Sequence, residues 1–374
     1  MEALEGIARK AVWAWRERKQ EVLLGAAAVG TAAAVVWWLS QPAPKQGVDP
    51  AELQATLEAK YDAAVQQGKV IPLATKPHIV VNDGVQFWVA TAGVAAIEQK
   101  NKNVTSRAKP VDALAHVDPA LHVDSVSFHG FDLVLNKFPV VPHHALLVSK
   151  TFVQQTSALT VPEWTALWRG VRGLDALGFF NCGTASGASQ PRKHMQLLPL
   201  SSVRAAATAG GLALAGTPAH SQHPTPPDAL PITGIPLDSA IAAGTTPPGA
   251  EHGTPLTITA YARAGIPHAL AYLGQGVHLQ GGSQAGAYLE TIFETLAAAA
   301  GAITDGSAAY SLLLTRRWML VVPRCAGRQG AVEVNSLGYA GFLLARGGSA
   351  ADELSAGPTA ALDVLRACAA DATA

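Results

Sequence analysis

The pattern of apolar and polar positions is clearest between residues 131 and 175. Two short apolar runs, Leu133 to Asn136 and Ala145 to Ser149, are separated by KFPVVPHH, whose prolines suit a wide turn. We therefore predict two adjacent antiparallel strands. Thr160 and Glu163 then have the spacing of a helix capping box. Apolar residues follow at helical spacing, namely Trp164, Leu167, Trp168, Val171 and Leu174. This predicts an amphipathic helix whose tryptophans pack in the core.

The first forty residues have a different pattern. An uncharged run extends from Val22 to Leu39, at the lower end of what a helix needs to cross a bilayer. Trp13 and Trp15 precede this run, Trp37 and Trp38 lie at its end, and basic residues outnumber acidic ones before it. We therefore predict a transmembrane helix over residues 22–40, within an N-terminal segment 1–45 that anchors the chain to a membrane. The alternatives are an organelle-targeting extension, or an ordinary apolar helix packed on the body of the protein. In either case the protein would be soluble, in an organelle or the cytoplasm.

Composition divides the rest of the chain. A length of 374 residues suits two domains or one duplicated fold. Between 205 and 257 Ala, Gly, Pro and Thr dominate, a mixture that buries too little side chain to offset its ordering entropy. We predict a linker or insertion there, between a domain at 46–204 and a second domain at 258–374. Periodicity by itself indicates a mixture of α and β structure.

Charge and cysteine content exclude several classes of function. Lys and Arg number 27 and Asp and Glu also number 27, so the chain has no long-range field that would capture nucleic acid. Any phosphate site must be local. Cys182, Cys325 and Cys368 form no C-x-x-C pair, which argues against a disulfide framework and a cysteine zinc site. We predict no metal site.

Candidate chemistry is concentrated between Gly178 and Leu200. Small residues from Gly183 to Ser189 form a loop whose N–H groups and hydroxyls can approach an oxyanion closely. In a strand that follows, His194 and Gln196 would project to the same face as Arg192. A neutral imidazole can attack phosphorus and hold the transferred group as a phosphoramidate, while an amide can donate to a phosphate oxygen. Taken alone, a strand histidine is more often a satisfied core or surface residue than a nucleophile.

A family resemblance narrows these alternatives. The string NCGTASGASQPRKHMQLLPL resembles the active site of the ATP adenylyltransferases, or diadenosine tetraphosphate (Ap4A) phosphorylases, in the histidine-triad (HIT-like) superfamily. Leu133 to Thr160 resembles the strands before the family's capped helix, and Ser311 to Arg324 and Val334 to Arg346 resemble its C-terminal domain. The resemblance implies an α+β, HIT-like fold of two lobes, with largely antiparallel sheets flanked by helices. The predicted transmembrane helix would precede this fold.

The resemblance also implies roles for individual residues. His194 falls on the family's nucleophile and Gln196 on its neighbouring nucleotide-contacting glutamine. Ser186 is included as a hydroxyl of the small-residue loop. A further family lysine falls on Lys100 or Lys102, and the local match does not choose between them. The remaining nucleotide and phosphate contacts fall on Asn136, Lys137, Asn181, Gly187, Ala188, Ser189, Gln190, Asn335, Ser336, Leu337, Phe342 and Arg346.

One position departs from the usual H-x-H-x-Q of the family, because Arg192 replaces the first histidine. In zinc-bearing relatives that histidine can be a metal ligand, so its loss fits a zinc-free site. The main-chain carbonyl near this position is expected to orient the nucleophile's Nδ1–H, which a side-chain change leaves intact. A guanidinium here also suits a phosphate contact.

The implied reaction is reversible phosphorolysis of Ap4A to ADP and ATP through an adenylyl-histidine. Its partners are nucleotides and inorganic phosphate, with no tightly bound cofactor and with Mg²⁺ accompanying the polyphosphate. A dinucleoside polyphosphate hydrolase and an adenylyl-sulfate-using relative are the enzymatic alternatives. A membrane-tethered nucleotide sensor without turnover is the alternative from another class.

Overall fold

The strands of both halves of the chain are combined in shared sheets. A computed structural model describes residues 50–92, 112–123, 128, 130–210, 253–274, 277, 282–302, 306–357 and 360–370. The strands among them are β1 (Thr75–Asn82), β2 (Val85–Ala92), β3 (Phe131–Leu135), β4 (Ala145–Ser149), β5 (Ala176–Cys182), β6 (His194–Pro199), β7 (Ala269–Tyr272), β8 (Ala309–Leu314), β9 (Trp318–Arg324), β10 (Arg328–Gln329), β11 (Val332–Glu333) and β12 (Phe342–Arg346).

The two sheets of the described residues differ in size and direction. The larger has seven strands in the order β3-β4-β6-β5-β8-β9-β7 and is antiparallel throughout. The smaller has five strands in the order β1-β2-β12-β11-β10, and only β12 and β2 run parallel. The mixed fold with largely antiparallel sheets is therefore confirmed. The predicted strand pair is also confirmed, because β3 and β4 pair with Leu133 opposite Leu147.

Helices pack against both sheets. Their bounds are α1 (Pro50–Gln66), α2 (Val161–Gly173), α3 (Leu200–Ala209), α4 (Thr259–Arg263), α5 (Gly282–Ala300), α6 (Gly348–Ser355) and α7 (Ala360–Cys368). The capped helix predicted from the sequence is confirmed as α2, where the backbone N–H of Thr160 donates to the Glu163 carboxylate at 2.6 Å. Trp164 and Trp168 are buried, as predicted for core residues. Helix α2 packs against α5, and Trp164 meets Phe293 at 5.2 Å between ring centroids.

The hydrophobic core joins the two sheets. Every residue of β5 and of β9 is buried, which explains their nearly continuous apolar sequences. One cluster of buried side chains combines Phe87 and Leu343 of the smaller sheet with Phe179 and Leu320 of the larger. Burial of each such side chain contributes about 1.5–3 kcal/mol to folding. Regions 46–204 and 258–374 thus contribute to a common core, and their division into domains stays a prediction.

The prediction of an N-terminal transmembrane helix is corrected. A bilayer-spanning helix needs about 20 predominantly apolar residues. No helix within the described ranges is long and apolar enough to cross a membrane. The segment 22–40, for which the prediction was made, lies outside the described residues, so the structure gives the anchor no support. Most of the predicted linker also lies outside them, and α3 extends across its expected start at residue 205.

Candidate active site

A cleft of about 850 Å³ is lined by residues of both sheets, which is large for a ligand pocket. It brings together most of the residues that the sequence analysis selected. Those that line it are Asn136, Lys137, Asn181, Gly187, Ala188, Ser189, Gln190, His194, Gln196, Asn335, Leu337, Phe342 and Arg346. Ser186 and Ser336 do not line the cleft and are completely buried behind it. Lys100 and Lys102 lie outside the described residues.

His194 begins β6 and is held in one orientation and one tautomer. Its Nδ1 lies 2.9 Å from the carbonyl oxygen of Arg192, so Nδ1 carries the proton and donates it. Burial lowers the pKa of His194, and the bond to this carbonyl opposes the shift only in part. The imidazole is therefore neutral near pH 7. Its Nε2 lone pair is left for the cleft, since no described residue hydrogen bonds to that atom.

His268 shows why this arrangement differs from that of a structural histidine. It is also buried, its pKa is also lowered by burial, and its Nδ1 also bonds a carbonyl two residues earlier, at 2.7 Å from Ile266. However, the Nε2 of His268 accepts the backbone N–H of Ile258 at 2.7 Å. The lone pair of His268 is thus used within the fold, whereas that of His194 faces an open cleft.

Gln155 fixes the backbone of His194. Strands β5 and β6 pair as far as Phe179 opposite Gln196, and the same register continued by two residues would place Asn181 opposite His194. The side chain of Gln155 replaces that pair. Its Oε1 accepts the His194 N–H at 2.8 Å, and its Nε2 donates to the carbonyl of Asn181 at 2.8 Å. The strands can therefore separate at the cleft without leaving these buried groups unsatisfied.

The small-residue loop packs against the turn after β11. Gly187 has φ +92°, and a Cβ there would lie 2.8 Å from the Cβ of Asn335, so only glycine permits the contact. Asn181 joins the same two segments, because its Oδ1 accepts the backbone N–H of Ser336 at 2.8 Å. Ser336 therefore holds Asn181 in place. The Asn181 Nδ2 group remains as a donor at the cleft wall.

Basic and aromatic side chains line different parts of the cleft. Lys137 brings one positive charge, and Arg346 brings another that is paired with Glu333, with 3.0 Å between Nε and Oε1. Phe342 and Trp88 are register partners on β12 and β2, and their ring centroids are 5.8 Å apart. The cleft thus offers an apolar, aromatic wall as well as polar donors.

Arg192 does not share the face of His194 and Gln196, contrary to the alternation prediction. The chain enters β6 only at His194, and the guanidinium of Arg192 turns to Asp112, with 2.9 Å between Nη2 and Oδ2. Its Nη1 donates to the carbonyls of Ser149 and Lys150 at 2.9 and 3.2 Å. The side chain is 9% exposed and does not line the cleft. The suggested phosphate contact is therefore wrong for this structure.

Replacing Arg192 with Met should destabilise the fold. The change leaves the carboxylate of Asp112 and two main-chain carbonyls without their donor, which should lower the free energy of unfolding by about 2–4 kcal/mol. The matched control is Arg263→Met, which breaks the much more exposed ion pair with Asp83 and should cost at most about 1 kcal/mol. Urea denaturation followed by circular dichroism measures both. Equal losses for the two variants would show that Arg192 has no special structural role.

Comparison with known proteins identifies the family. Residues 43–209 match the family described as the Ap4A phosphorylase N-terminal domain, and residues 265–371 match the ATP adenylyltransferase C-terminal domain. The chain belongs to the Ap4A phosphorylase family. Among relatives, diadenosine 5',5'''-P1,P4-tetraphosphate phosphorylase 2 of Saccharomyces cerevisiae is 26% identical over 336 residues, covering 82% of this chain and 91% of the relative.

Solved structures share the fold. The crystal structure of yeast Ap4A phosphorylase Apa2 aligns with a TM-score of 0.62 and 23% identity, covering 85% of this chain and 94% of that one. The structure of Apa2 in complex with Ap4A aligns with a TM-score of 0.61 at 23% identity, covering 86% and 98%. At 23% identity, this structural similarity shows a shared fold and nothing further.

Several residues that line or support the cleft were not predicted from the sequence. Trp88 lies in a largely apolar strand between Phe87 and Val89, and Gln155 lies in a loop far from His194 in sequence. His144 also lines the cleft and was not predicted, although it is one of two adjacent histidines at the end of KFPVVPHH, a pattern that indicates a polar site.

Proposed function

We propose that this protein is a nucleotidyltransferase that catalyses the reversible phosphorolysis of Ap4A, with inorganic phosphate, to ADP and ATP. The observation that carries the proposal is His194, a neutral imidazole whose Nε2 faces a cleft with phosphate-binding features. Membership of the family and the phosphorylase activity named for the yeast relative support the same reaction.

In the first half-reaction, Nε2 of His194 attacks the α-phosphorus of one adenylyl group. A P–N bond forms, the bond from that phosphorus to the bridging oxygen breaks, and ATP leaves. The imidazole ring gains positive charge in this step. The Arg192 carbonyl, 2.9 Å from Nδ1, accepts the Nδ1–H and stabilises that charge without taking the proton.

In the second half-reaction, an oxygen of inorganic phosphate attacks the same phosphorus. The P–N bond breaks, ADP forms, and His194 returns to its neutral state. Each step is a displacement at phosphorus in which the bond formed and the bond broken are similar. The reaction therefore also runs in reverse, from ADP and ATP to Ap4A and phosphate. If water attacked in place of phosphate, AMP would be released. A phosphorylase and a hydrolase therefore differ in the nucleophile of this second step.

The remaining cleft residues suit a dinucleoside polyphosphate. The aromatic wall of Trp88 and Phe342 suits an adenine base, which can stack on an aromatic ring. Gly187 to Gln190 present the loop backbone to the phosphates, and Lys137 and Arg346 offer positive charge. Arg346 can exchange its Glu333 partner for a phosphate oxygen, so ligand binding should loosen that ion pair.

Mg²⁺ is proposed only as a companion of the polyphosphate. The carboxylates among the described lining residues are Asp118 and Glu333, which are bonded to Lys69 and Arg346. These residues do not form an open carboxylate set for a divalent cation. The protein's own contribution to charge neutralisation is therefore assigned to Lys137, Arg346 and the loop N–H groups.

The change from histidine to Arg192 was the motive for considering a sensor without turnover. Arg192 contacts His194 through its main-chain carbonyl, which accepts the Nδ1–H, whereas its side chain bonds to Asp112. A different side chain at this position therefore does not remove the nucleophile or its orienting acceptor. This favours an active enzyme.

The proposal is tested by incubating the full chain with Ap4A, with and without inorganic phosphate, and separating the products by chromatography. We expect ADP and ATP to accumulate only with phosphate. AMP and ATP formed at the same rate without phosphate would indicate a hydrolase, and tight binding of Ap4A with no product would indicate a sensor. Either result would overturn the proposal.

The pH dependence follows from the lowered pKa of His194. Only the neutral ring is a nucleophile, so activity falls when the pH drops through the folded pKa. Because burial lowers that pKa below the usual value of about 6.5, the plateau should extend to a pH below 6.5. The measurement is the single-turnover release of ATP from Ap4A without phosphate, across about pH 5 to 8. A midpoint at or above 6.5 would contradict the prediction.

A further inference from the structure

A chain of hydrogen bonds connects the backbone to the cleft-lining amide of Gln196. The N–H of Phe138 donates to Oδ1 of Asn136 at 3.0 Å. Nδ2 of Asn136 then lies 3.0 Å from Nδ1 of His144, and Nε2 of His144 lies 3.0 Å from Oε1 of Gln196. Three groups of the segment between β3 and β4 and one group of β6 are thus joined in series.

The backbone N–H of Phe138 determines which group donates and which accepts in every hydrogen bond of this chain. A backbone N–H can only donate, so the Asn136 atom that it meets must be the carbonyl oxygen. The other end of the Asn136 amide is therefore NH₂ and donates to Nδ1 of His144. An accepting Nδ1 carries no proton, so the neutral ring carries its proton on Nε2. That proton is donated to Gln196, which must present its oxygen to His144.

The consequence lies at the free end of Gln196. With Oε1 held by His144, the Nε2 group of Gln196 remains as the donor end of the amide at the cleft. This is the end that a phosphate oxygen requires. An unheld amide could rotate by half a turn and present its oxygen, which would repel a phosphate. Preorganised donors of this kind are effective because they need no reorientation as charge develops.

Backbone pairing and ring packing around His144 hold this chain of hydrogen bonds in place. Asn136 and His144 lie opposite each other across the β3–β4 turn, where the Asn136 N–H donates to the His144 carbonyl at 2.8 Å. Leu146, two residues further along β4, pairs with Gln196. His144 is buried, and its ring packs near Phe179, with 5.7 Å between ring centroids.

We propose that His144 is a positioning residue for the reaction, which acts through Gln196 by fixing its amide with the NH₂ group toward the substrate phosphate. The proposal rests on the proposed function for its chemistry. His144 itself does not attack, protonate or leave. Its effect should therefore disappear when Gln196 is absent, which a residue that only supports the fold would not show.

A double-mutant cycle tests this dependence. His144→Phe keeps a ring against Phe179 but removes both nitrogens, and should lower kcat for Ap4A phosphorolysis by about 10- to 100-fold with a much smaller change in KM. In a Gln196→Ala background, adding His144→Phe should change kcat by less than about threefold. Effects that multiply in full would overturn the proposal.

Two further variants separate positioning from folding. His144→Gln retains an acceptor and a donor on one side chain, and should recover part of the activity that His144→Phe loses. The matched control is His143→Asn, at a neighbouring residue with φ +60° whose Nδ1 contacts Ser202 at 2.7 Å away from the cleft. Asn tolerates this backbone conformation, so kcat should stay at the wild-type value. Thermal melting of each variant reports whether it is folded.

The same cycle can be measured without turnover, using AMP as the probe in isothermal titration calorimetry. His144→Phe should weaken AMP binding by about three- to tenfold, and should weaken it no further when Gln196 is already Ala. A wild-type protein that binds AMP but does not phosphorolyse Ap4A would refute the proposed function while the AMP cycle still decides the role of His144. Unchanged AMP affinity and unchanged kcat in His144→Phe would refute the positioning role alone.

Discussion

His194→Asn should lower kcat for Ap4A phosphorolysis by at least about 10⁴-fold, because it removes the nucleophile while keeping much of its surroundings. The Asn amide can still donate to the Arg192 carbonyl that receives Nδ1–H in the wild type. It has no lone pair comparable to Nε2 of imidazole. The wild type incubated with Ap4A without phosphate should carry a covalent adenylyl group by intact-protein mass spectrometry, and the variant should carry none.

His268→Asn is the matched control for this prediction. His268 has the same bond from Nδ1 to the carbonyl of the residue two before it, and it is also buried, but its Nε2 accepts an N–H of the fold. This variant should lose about 1–3 kcal/mol of stability through an unsatisfied Ile258 N–H, and should still form the adduct. An adduct in His194→Asn, or its absence in a folded His268→Asn, would contradict the assignment of the nucleophile.

Local sequence patterns predicted the parts of this site that local structure builds. The capping box of Thr160 and Glu163, and the strand pair that begins near Leu133, depend on neighbours within a few residues, and both are present. The alternation of His194 and Gln196 also held, because β6 begins at His194. The alternation did not extend back to Arg192, because that residue precedes β6 and its guanidinium pairs with Asp112.

Contacts between distant residues could not be read from these patterns. Gln155 bonds His194 across 39 residues, and Arg192 bonds Asp112 across 80. Ser336 reaches Asn181 across 155 residues. Nothing in the local sequence of such residues shows which distant partner they meet, because the pairing is decided by the sheet order. The family resemblance selected cleft residues in both halves of the chain, but it did not select the side chains that hold them.

Arg324 is a further residue of this kind. It is 3% exposed at the end of β9, and its guanidinium packs over the ring of Tyr339 at 4.9 Å. Within the described ranges, the hydrogen-bond partners of its guanidinium are neutral groups. Nε donates to the carbonyl of Cys368 at 2.9 Å and Nη1 to Oγ of Ser311 at 2.8 Å. The remaining donors meet carbonyl groups of the two segments beside the cleft, at Ser186, Ala326 and Val334.

This arrangement makes Arg324 the link between the loop at 183–190 and the turn at 325–337. A buried cation costs desolvation energy unless its donors are satisfied, and here carbonyl dipoles satisfy them without a carboxylate among these contacts. These carbonyl groups in turn depend on the guanidinium for their hydrogen bonds. The charge also lies beneath a loop that is proposed to bind phosphate, where a positive potential favours an anion.

Arg324→Met should therefore lower the free energy of unfolding by about 3–5 kcal/mol, because several buried carbonyl groups lose their donor at once. Arg324→Lys should recover only part of the loss, since an ammonium has three donors and no planar fork. Affinity for AMP should fall in both variants as the loop and the turn lose their common partner. Urea denaturation followed by circular dichroism, and calorimetric titration with AMP, measure the two effects.

The control is Arg366→Met, which removes an exposed arginine on α7 whose ion pair with Asp363 spans 3.7 Å. Its effect on unfolding should stay within about 0.5 kcal/mol. If Arg324→Met were as stable as this control, its buried donors would be dispensable and the two cleft segments would have to be held by Gly187 and Asn181 alone. If Arg324→Lys lost AMP affinity while keeping wild-type stability, the geometry of the guanidinium, rather than its charge, would be what shapes the phosphate loop.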